Sequence, residues 1–594
     1  MKASNFGMES VRRAGIRGCA AAFCLMLPLP ALAQTPPDAG SLLRQQEQLQ
    51  QKAVPQKIPE AESKEPGKSG RVEDAGVKVQ IKSIRFTGAV DLMPEAELDA
   101  VVAETVGQAL GFSDLEALAD KVTKCLRDAG WLLARAYLPR QDVSGGVIEV
   151  AILQGHLAGS QGEGGGWQIN LSEKSRINKG TLTAIVEKNA PSGTSPKEKQ
   201  LERALFLIND LPGISARSRL APGKEKGATQ ITVDVEEAPL LTGIIWADNY
   251  GNHSTGKAQA NALINVNDPL GYGDHAIVSG AKSKGIRLLR LGYDLPLNSN
   301  GFRAAVGYTT MDYEVIDGSG RLAELAGDSH IVNAGISFPF IRGRLFNVFG
   351  GMGYEHKALR DKSSAGTLRD KRVNVVNLTL GVDYIDRWGG GGVNHLGGAV
   401  TSGDLDLSRV ASDKEVDAAT LNTDGHYHKF SLNASRLQRL SARFTLLGRF
   451  SAQWANGNLD SSEEFILGGP NGVRAYPVAE AQGDEGWLGS VELRYDWPRE
   501  TRLGLLQLSA FIDTGRIRVH HDPGDVAIPT ATGKNSYQLN GAGIGVHVSR
   551  SGSHSVRLGW AHILGHNDGR TIDGKNADGE TDTSRFWLQG VVWF

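Results

Sequence analysis

An arginine and an aspartate are the charged residues of this chain best suited to form a buried ion pair. Arg474 lies in a stretch rich in glycine and proline, residues 466–486, which these residue types predict to be a loop with a constrained path. Asp513 follows within a predicted strand. A carboxylate enclosed by protein is costly unless it is paired, and a guanidinium group can pair with it through two hydrogen bonds. The spacing leaves a second interpretation open, in which Arg474 is solvated and Asp513 is a charge lining an aqueous interior.

The strand that carries Asp513 has one apolar and one polar face. Because successive side chains of a strand point to opposite sides, residues 505–513 divide into two sets. The first set is Leu506, Leu508, Ala510 and Ile512, and the second is Gln507, Ser509, Phe511 and Asp513. The wall of a membrane barrel needs this division, since its outer face contacts lipid and its inner face contacts water. The pattern therefore predicts that Asp513 points into a lumen.

The sequence contains no motif of a known catalytic centre. It has no G-x-S-x-G nucleophile elbow, no Walker A loop and no H-E-x-x-H helix. The paired histidines His426, His428, His520 and His521 fall at or near predicted loops without further ligands at set spacing, which favours solvated side chains over a metal site. Residues 568–582 are rich in aspartate and glycine but lack the ligand order of a calcium loop. We therefore expect no enzymatic activity, no cofactor and no metal.

The N-terminus predicts export from the cytoplasm. Residues 1–33 contain a basic region, an apolar region and the cleavage pattern Ala31-Leu32-Ala33, which together predict a secretory signal peptide. Its removal takes away a net charge of +3, so the net charge falls from −2 to −5, which argues against a nucleic-acid partner. Cys125 is then the only cysteine, so no intramolecular disulfide can form. Beyond the signal peptide, no uncharged apolar run reaches the roughly 18 residues of a spanning helix.

Three regions follow with different patterns. Residues 34–76 hold a short helix at 41–51, polar on every face, and a charged, proline-containing linker; composition alone favours a disordered tail here. Residues 77–155 and 156–239 each read as a compact unit of strands and amphipathic helices. From residue 240 to residue 594 the chain reads as about sixteen strands separated by turns and loops.

The connections of the last region alternate in length. Short connections are predicted at 294–300, 339–343, 386–391, 436–441, 498–502 and 549–554. Long polar connections are predicted at 316–328, 357–371, 402–425, 466–486, 521–535 and 566–584. A transmembrane barrel with short periplasmic turns and long external loops alternates in this way. The pattern makes the Arg474 loop the sixth external loop and places both ends of the barrel in the periplasm.

Four segments resemble one protein family. They are the loop motif Gly472-Val473-Arg474-Ala475-Tyr476, the strand motif Phe511-Ile512-Asp513-Thr514-Gly515, the stretch 137–141 and, counted together, the stretches 209–213 and 220–223. Together they resemble the two-partner secretion transporters, the TpsB family of the FhaC and ShlB type, which are related to the insertase BamA. The family loop usually has glycine where this chain has Ala475. The resemblance implies that Arg474 pairs with Asp513 on the barrel wall, an ion pair that we call the loop–lumen lock.

The resemblance implies a transmembrane antiparallel β-barrel of about sixteen strands preceded by two α+β POTRA domains. The implied regions are a signal peptide (1–33), a plug helix and linker (34–76), a first POTRA domain (77–155), a second (156–239) and the barrel (240–594). In the family the helix threads the barrel as a plug, and a water-filled lumen suits its polar faces.

The implied function is that of an outer-membrane translocator. Periplasmic POTRA domains capture an unfolded secreted partner of the TpsA type, whether a haemolysin, an adhesin or a contact-dependent toxin, and the barrel exports it without nucleotide hydrolysis. The implied partners are this cargo, outer-membrane lipid and, during biogenesis, the barrel assembly machinery. Sheet edges of POTRA domains can accept an added strand. The expected edge in the first unit, or its counterpart in the second, comprises Leu133, Ala134, Arg135, Ala136, Tyr137 and Leu138.

Two alternative functions fit the same sequence. One is a BamA-like insertase of outer-membrane barrels, which the presence of only two predicted POTRA units disfavours. The other is a receptor or adhesin whose barrel is a passive anchor, which the inward arginine disfavours. Both alternatives keep the predicted fold and differ in what the lumen does.

Overall fold

The computed structural model describes residues 37–51, 78–159, 165–225, 227–528 and 530–594. The predicted signal peptide and the predicted linker lie outside these ranges. Among the described helices, none is both long enough and apolar enough to cross a membrane. The first described element is helix α1 (Ala39–Gln51). Asp38 caps it, because Asp38 Oδ1 accepts a hydrogen bond of 2.9 Å from the Ser41 backbone N–H.

The first α+β unit is a small sheet packed against two helices. Apolar residues at helical spacing on the second helix, among them Leu118 and Val122, bury themselves against Ile148 and Val150 of the sheet. The central strand β5 lies between β2, which is parallel to it, and β4, which is antiparallel. The elements are β1 (Val79–Gln80), β2 (Ser83–Gly88), α2 (Glu95–Val102), β3 (Ala109–Leu110), α3 (Phe112–Asp128), β4 (Arg135–Tyr137) and β5 (Val147–Leu153).

The second α+β unit is built around one central strand. Strand β9 pairs in parallel with β6 and β7 on one side and antiparallel with β8 on the other. Its two helices cover one face of this sheet through Leu182, Leu201 and Ile208. The elements are β6 (His156–Leu157), β7 (Trp167–Asn170), α4 (Lys179–Asn189), α5 (Glu198–Asn209), β8 (Ile214–Pro222) and β9 (Ala228–Glu237).

The remaining strands form a closed antiparallel barrel of sixteen strands, which confirms the predicted fold class. Closure is made by pairing the first barrel strand with the last, from Ile244 opposite Trp593 to Asp248 opposite Gln589. The first eleven are β10 (Leu241–Asp248), β11 (Gln259–Asn267), β12 (His275–Lys282), β13 (Ile286–Pro296), β14 (Arg303–Glu314), β15 (Ala326–Arg342), β16 (Phe346–Ser363), β17 (Gly366–Asp386), β18 (Gly392–Asp406), β19 (Gly425–Arg439) and β20 (Phe444–Ala455).

A long loop, residues 456–484, separates β20 from the last five barrel strands. We call it the arginine loop, because Arg474 lies in it. It carries a two-stranded hairpin of β21 (Phe465–Ile466) and β22 (Gln482–Gly483). The barrel continues with β23 (Glu485–Asp496), β24 (Leu505–Arg518), β25 (Ser536–Arg550), β26 (His554–Ile563) and β27 (Ser584–Trp593).

Side chains on each strand alternate between the outside of the barrel and the lumen. On β15, Val332 and Ile336 point outward and are exposed, as a lipid-facing surface requires, whereas Ile331 points inward and is buried. On β24, Ile512 is 59% exposed on the outside while Asp513 is fully buried inside. The predicted division of residues 505–513 into two faces is therefore what the structure shows.

Of the twelve connections whose length was predicted, one differs in kind, and the connection 283–285, for which no length was predicted, is also short although it lies on the side of the long loops. Residues 357–371 were expected to form a long loop, but they belong to β16 and β17, which stay paired up to Ser363 opposite Gly366. The turn between these strands is only two residues long. The part of this hairpin near its tip carries charged side chains on both faces, so the sequence has no apolar alternation there to indicate strands. Two short helices, α6 (Ser319–Leu322) and α7 (Ala411–Ala418), lie in other external loops.

Helix α1 lies inside the barrel. Its Leu42 and Leu43 are almost fully buried and pack in one cluster with lumen-facing residues such as Met311 and Leu359. Its polar side chains also meet the lumen wall, as where Gln46 Nε2 donates a hydrogen bond of 3.3 Å to Gln259 Oε1. The helix therefore has an apolar stripe that composition alone did not reveal.

The second α+β unit is held by two arginines against the mouth of the barrel on the side of the short turns. Arg203 of α5 donates hydrogen bonds of 2.8 Å to the Pro339 carbonyl and 2.9 Å to the Asn300 carbonyl. Arg342 of β15 pairs through two nitrogens with both carboxylate oxygens of Asp210, at 2.8 and 2.7 Å. These contacts fix where the unit sits relative to the lumen.

Candidate functional site in the barrel lumen

The arginine loop folds back into the barrel, where the motif at residues 472–476 is buried. Val473, Ala475 and Tyr476 are fully enclosed and pack with Leu467 of the same loop and Phe511 of β24. Glycines on the facing strands leave room for this approach. A Cβ at Gly515 would lie 2.3 Å from the Leu467 side chain, so a larger residue there would displace the loop.

Arg474 meets Asp513 through two parallel hydrogen bonds. Arg474 Nε lies 2.8 Å from Asp513 Oδ2, and Arg474 Nη2 lies 2.8 Å from Asp513 Oδ1. The backbone N–H of Arg474 adds a third bond of 3.1 Å to Asp513 Oδ2. The carboxylate is buried, and Ser490 Oγ of β23 also donates to it at 2.8 Å. A bidentate pair of this kind fixes the direction of the arginine as well as its position.

Two further groups hold the same guanidinium. Arg474 Nη1 lies 2.6 Å from Glu492 Oε2 of β23, so the arginine is shared between two carboxylates. The Phe511 ring lies beneath it, with its centroid 3.3 Å from the guanidinium carbon. On the other side of the loop, Trp587 of β27 donates a 2.7 Å hydrogen bond to the Arg474 carbonyl oxygen.

Glu492, Ser490 and Trp587 were not among the predicted site residues. Period-two alternation on β23 puts Ser490 and Glu492 on the lumen face, which the sequence could have indicated. Their closeness to Arg474 depends on the pairing register of β23 with β24, in which Ser490 stands opposite Asp513. That register is a tertiary property, so no local motif reports it.

Ala475 is accommodated at the position where the family usually has glycine. The described residues with a positive φ include Ala479 but not Ala475, so this position needs no left-handed backbone. The methyl group of Ala475 faces Gly541 of β25, where an added Cβ would lie only 2.6 Å away. A glycine on the barrel wall therefore provides the space that the alanine side chain takes up.

The N-terminus of α1 is fixed by charges from the wall and from the arginine loop. Lys371 Nζ of β17 lies 3.0 Å from Asp38 Oδ2 and 2.6 Å from Asp460 Oδ2 of the loop. Ser461 of the loop also donates to Asp38, at 2.7 Å. Nearby, Glu463 is paired with Lys357 and Lys429, each at 2.7 Å. Helix and loop thus share one network of paired, buried charges.

The outer end of the arginine loop contacts another external loop. Glu480 is buried and accepts a 2.6 Å hydrogen bond from the Ala577 backbone N–H, and Asn567 Nδ2 also donates to it. Burial raises the pKa of Glu480 to about 7, although these two donors oppose the shift. This carboxyl therefore titrates near neutral pH.

The predicted cargo edge in the first unit is shorter than expected. Only Arg135–Tyr137 form a strand, because a turn closed by the Ala134 N–H on the Trp131 carbonyl precedes it. The outward N–H of Ala136 donates a 2.9 Å hydrogen bond to Thr123 Oγ1 of α3, so this donor is not available to an added strand. Of the predicted edge residues, Leu133 and Leu138 pack against neighbouring apolar clusters instead.

The counterpart in the second unit is longer. Strand β8 spans nine residues and, within the described part of the chain, pairs only with β9. Near its start the outward N–H groups are already bonded: that of Ile214 donates to the Leu211 carbonyl, and that of Ala216 donates a 2.8 Å hydrogen bond to Asn209 Oδ1. The backbone N–H of Ser218, two residues later, also points away from β9. Ser218 is exposed, and no side chain among the described residues accepts a hydrogen bond from this N–H.

Two of the four histidines singled out in the sequence pair with carboxylates. His426 Nδ1 lies 3.0 Å from Asp404 and His521 Nδ1 lies 3.0 Å from Glu485. Across the residues that the structure describes, no group of three or more histidine, cysteine, aspartate or glutamate side chains is arranged to hold a metal ion.

The fold and the lumen define a class of protein. A closed sixteen-strand barrel, two α+β units before its first strand, a helix in its lumen and a loop folded inward are the architecture of an outer-membrane transporter with periplasmic POTRA domains. The chain belongs to the family described as haemolysin secretion/activation protein ShlB/FhaC/HecB, whose sequence model matches residues 227–548, more than half of the chain. The model of the ShlB-type POTRA domain matches residues 79–155.

Individual relatives support this assignment. The heme/hemopexin transporter protein HuxB of Haemophilus influenzae (strain 86-028NP) is 25% identical over 579 residues, covering 96% of this chain and 97% of HuxB. The outer membrane transporter CdiB of Escherichia coli is 26% identical over 511 residues, covering 84% of this chain and 83% of CdiB. The solved structure of CdiB from Escherichia coli has the same fold, with a TM-score of 0.67 at 22% identity, covering 93% of this chain and 98% of that one. The chain is thus a two-partner secretion transporter of the outer membrane.

Proposed function

We propose that the second POTRA domain captures an unfolded TpsA-type polypeptide and that the barrel exports it after α1 leaves the lumen. The observation that carries this proposal is the position of α1 inside the lumen, where side-chain contacts with the wall and with the arginine loop hold it. A closed barrel occupied by a removable helix suits regulated passage better than passive anchoring.

Capture is assigned to the free edge of β8. An extended polypeptide can pair with the outward N–H and C=O groups of an edge strand, and this pairing needs no particular side-chain sequence. The outward N–H and C=O of Ala216 are already hydrogen-bonded to the Asn209 side chain. The residues of β8 beyond Ala216 present outward backbone groups that an added strand could pair with. We therefore propose capture in the second POTRA domain, on the counterpart of the edge first expected at 133–138.

The loop–lumen lock is proposed to hold the arginine loop in the position that transport requires. Arg474 connects the loop to Asp513 and Glu492, on two adjacent strands. The loop in turn holds Asp38 at the start of α1 through Ser461. Loss of the lock would therefore disturb both the loop and the helix that it supports.

No nucleotide is proposed to take part, and no reaction is proposed to be catalysed. The sequence has no phosphate-binding loop, so folding of the cargo outside the cell is the proposed source of free energy. Two further partners are proposed on the same basis as in the family. Exposed apolar residues around the barrel suit outer-membrane lipid, and the aromatic end of β27 suits recognition by the barrel assembly machinery.

The proposal is tested by blocking the β8 edge in cells that also produce a TpsA-type cargo. Ser218→Pro removes one outward N–H without removing a bond to β9, and it should reduce secretion strongly while the barrel still inserts. Ser218→Ala keeps the N–H and serves as the matched control. Normal secretion from the proline variant, with both variants equally abundant in the outer membrane, would show that cargo is not captured on this edge.

A further inference from the structure

An apolar cavity lies where the second POTRA domain meets the periplasmic mouth of the barrel. Its volume is about 230 Å³. Leu207 and Leu211 line it from the POTRA domain, and Pro296, Pro339 and Phe349 line it from the barrel. We call it the apolar seat.

The seat belongs to the lumen side of the barrel wall. Ser337, which also lines it, stands directly opposite Arg303 of β14, and directly opposite residues share a face of the sheet. Ser337 lies an even number of residues from Ile331 on β15, and Ile331 packs in the lumen cluster that contains α1. A chain that enters the lumen from the periplasm therefore passes this surface.

The charged groups at the rim of the seat are already paired. Arg303 Nε lies 2.7 Å from Asp294 Oδ2, and Asp210 is held through both oxygens by Arg342. A charged ligand would have to displace one of these partners. An apolar group would not, and it would remove the apolar lining from water.

The seat adjoins the proposed capture strand. Strand β8 begins at Ile214, three residues after Leu211, so the strand starts beside the seat and its free groups, from Ser218 onward, lie further along it. The approach of the two parts is close, since a Cβ at Gly273 of the barrel turn would lie 2.7 Å from the Leu211 side chain. A polypeptide paired along β8 therefore has one end at the mouth of the barrel.

We propose that the apolar seat holds one large apolar side chain of the transported polypeptide as it passes from β8 into the lumen. The proposal rests on the proposed function, because it takes capture on β8 as the preceding step. A cavity of about 150 Å³ with an apolar lining can hold a benzene molecule, so the seat has room for a phenylalanine or leucine side chain. It would offer the cargo an apolar binding site at the entrance of the lumen.

The test uses the full chain in phosphatidylcholine nanodiscs and short synthetic peptides of alternating threonine and asparagine. Two peptides carry one phenylalanine, near the N-terminus or near the C-terminus, and a third carries serine instead. One of the two phenylalanine peptides should bind about tenfold tighter than the serine peptide, since burial of one large apolar side chain is worth about that much. Ser337→Phe, which fills the seat, should abolish the preference, while Asn333→Phe, on the same face of β15 further inside, should keep it.

The possible results of this experiment distinguish the proposal of the apolar seat from the proposal of capture on β8. Equal binding of all three peptides, or a preference that survives Ser337→Phe, would overturn the seat. Ser218→Pro should weaken all three peptides alike, because it removes a backbone contact that they share. If Ser218→Pro changes nothing while the phenylalanine preference depends on Ser337, capture on β8 is wrong and the seat stands.

Discussion

Trp587 Nε1, on the last strand of the barrel, donates a hydrogen bond of 2.7 Å to the carbonyl oxygen of Arg474. The arginine loop is therefore tied to β24 and β23 by its side chain and to β27 by its backbone. Because β27 also pairs with β10, the loop is connected to the seam where the barrel closes.

Removing the indole N–H of Trp587 should weaken the contact between the arginine loop and β27 without leaving a cavity in its place. Trp587→Phe keeps an aromatic ring beside Tyr250 but leaves the Arg474 carbonyl without its partner. We expect a loss of about 1 kcal/mol in stability, seen as a lower temperature at which the folded band disappears in heat-modifiability gels. Trp560→Phe, on the lipid face of the neighbouring strand, is the control and should change this temperature less. Equal shifts in the two variants would mean that the hydrogen bond contributes nothing specific.

The ion pair between Arg474 and Asp513 should show strong coupling. Arg474→Ala and Asp513→Ala should each reduce cargo secretion while leaving insertion largely intact, with an upper limit of about 3–5 kcal/mol in stability for breaking a buried pair. A double-mutant cycle on secretion and on heat-modifiability measures the coupling. Simple addition of the two losses would show that the residues do not interact.

Charge reversal should not restore the lock. In Arg474→Asp combined with Asp513→Arg, the new carboxylate at position 474 would face Glu492, which now pairs with the arginine. Repulsion between the two carboxylates offsets what the reversed pair gains. We therefore expect secretion by this double variant to stay as low as in the single variants, and full recovery would argue that Glu492 does not contact position 474.

The hold on α1 should weaken when Lys371 loses its charge. Lys371→Gln leaves Asp38 and Asp460 without their shared cation, so the helix should leave the lumen more often. We expect more frequent open events in planar bilayers, and deletion of residues 35–60 should give a permanently higher conductance. Lys362→Gln removes a charge from an exposed pair on the same hairpin and is the control. Unchanged conductance after the deletion would rule out a plug.

Glu480 should make the contact between the arginine loop and residues 566–584 depend on pH. Its pKa is raised from the ordinary value of 4.5 to about 7, so the folded state binds the proton more tightly than the unfolded state. The stability due to this group is full below pH 4.5 and is lost as pH rises to about 7. The temperature of unfolding in heat-modifiability gels should fall over that range, and Glu480→Gln should flatten this part of the profile. Asp568→Asn, in an exposed pair with Lys534, should leave the profile unchanged.

Local periodicity predicted the parts of the fold that depend on a single strand. The two faces of residues 505–513 and the alternation of short and long connections follow from side-chain period and turn composition. The hairpin at 357–371 was missed because its charges, such as Lys357 and Lys371, reach buried partners in the lumen that only the folded barrel supplies.

The candidate site was predictable only in part for the same reason. Arg474 and Asp513 could be found because each lies in a recognisable local motif. Glu492 and Trp587 reach Arg474 through strand register and barrel closure, and Lys371 reaches Asp38 across the lumen. These contacts join segments far apart in sequence, so no window of the chain contains both partners.

The position of α1 makes its contacts among the last of the protein to be completed. Helix α1 is made before every barrel strand, yet its Asp38 contacts Ser461, 423 positions later. Its enclosure is complete only when β27, the last strand synthesised, pairs with β10. Contacts with such long sequence separation form late, because the chain must first be brought together over a large loop. The first described element of the chain therefore gains its full set of contacts only once the last strand has closed the barrel, whether the barrel closes around the helix or the helix enters the closed lumen.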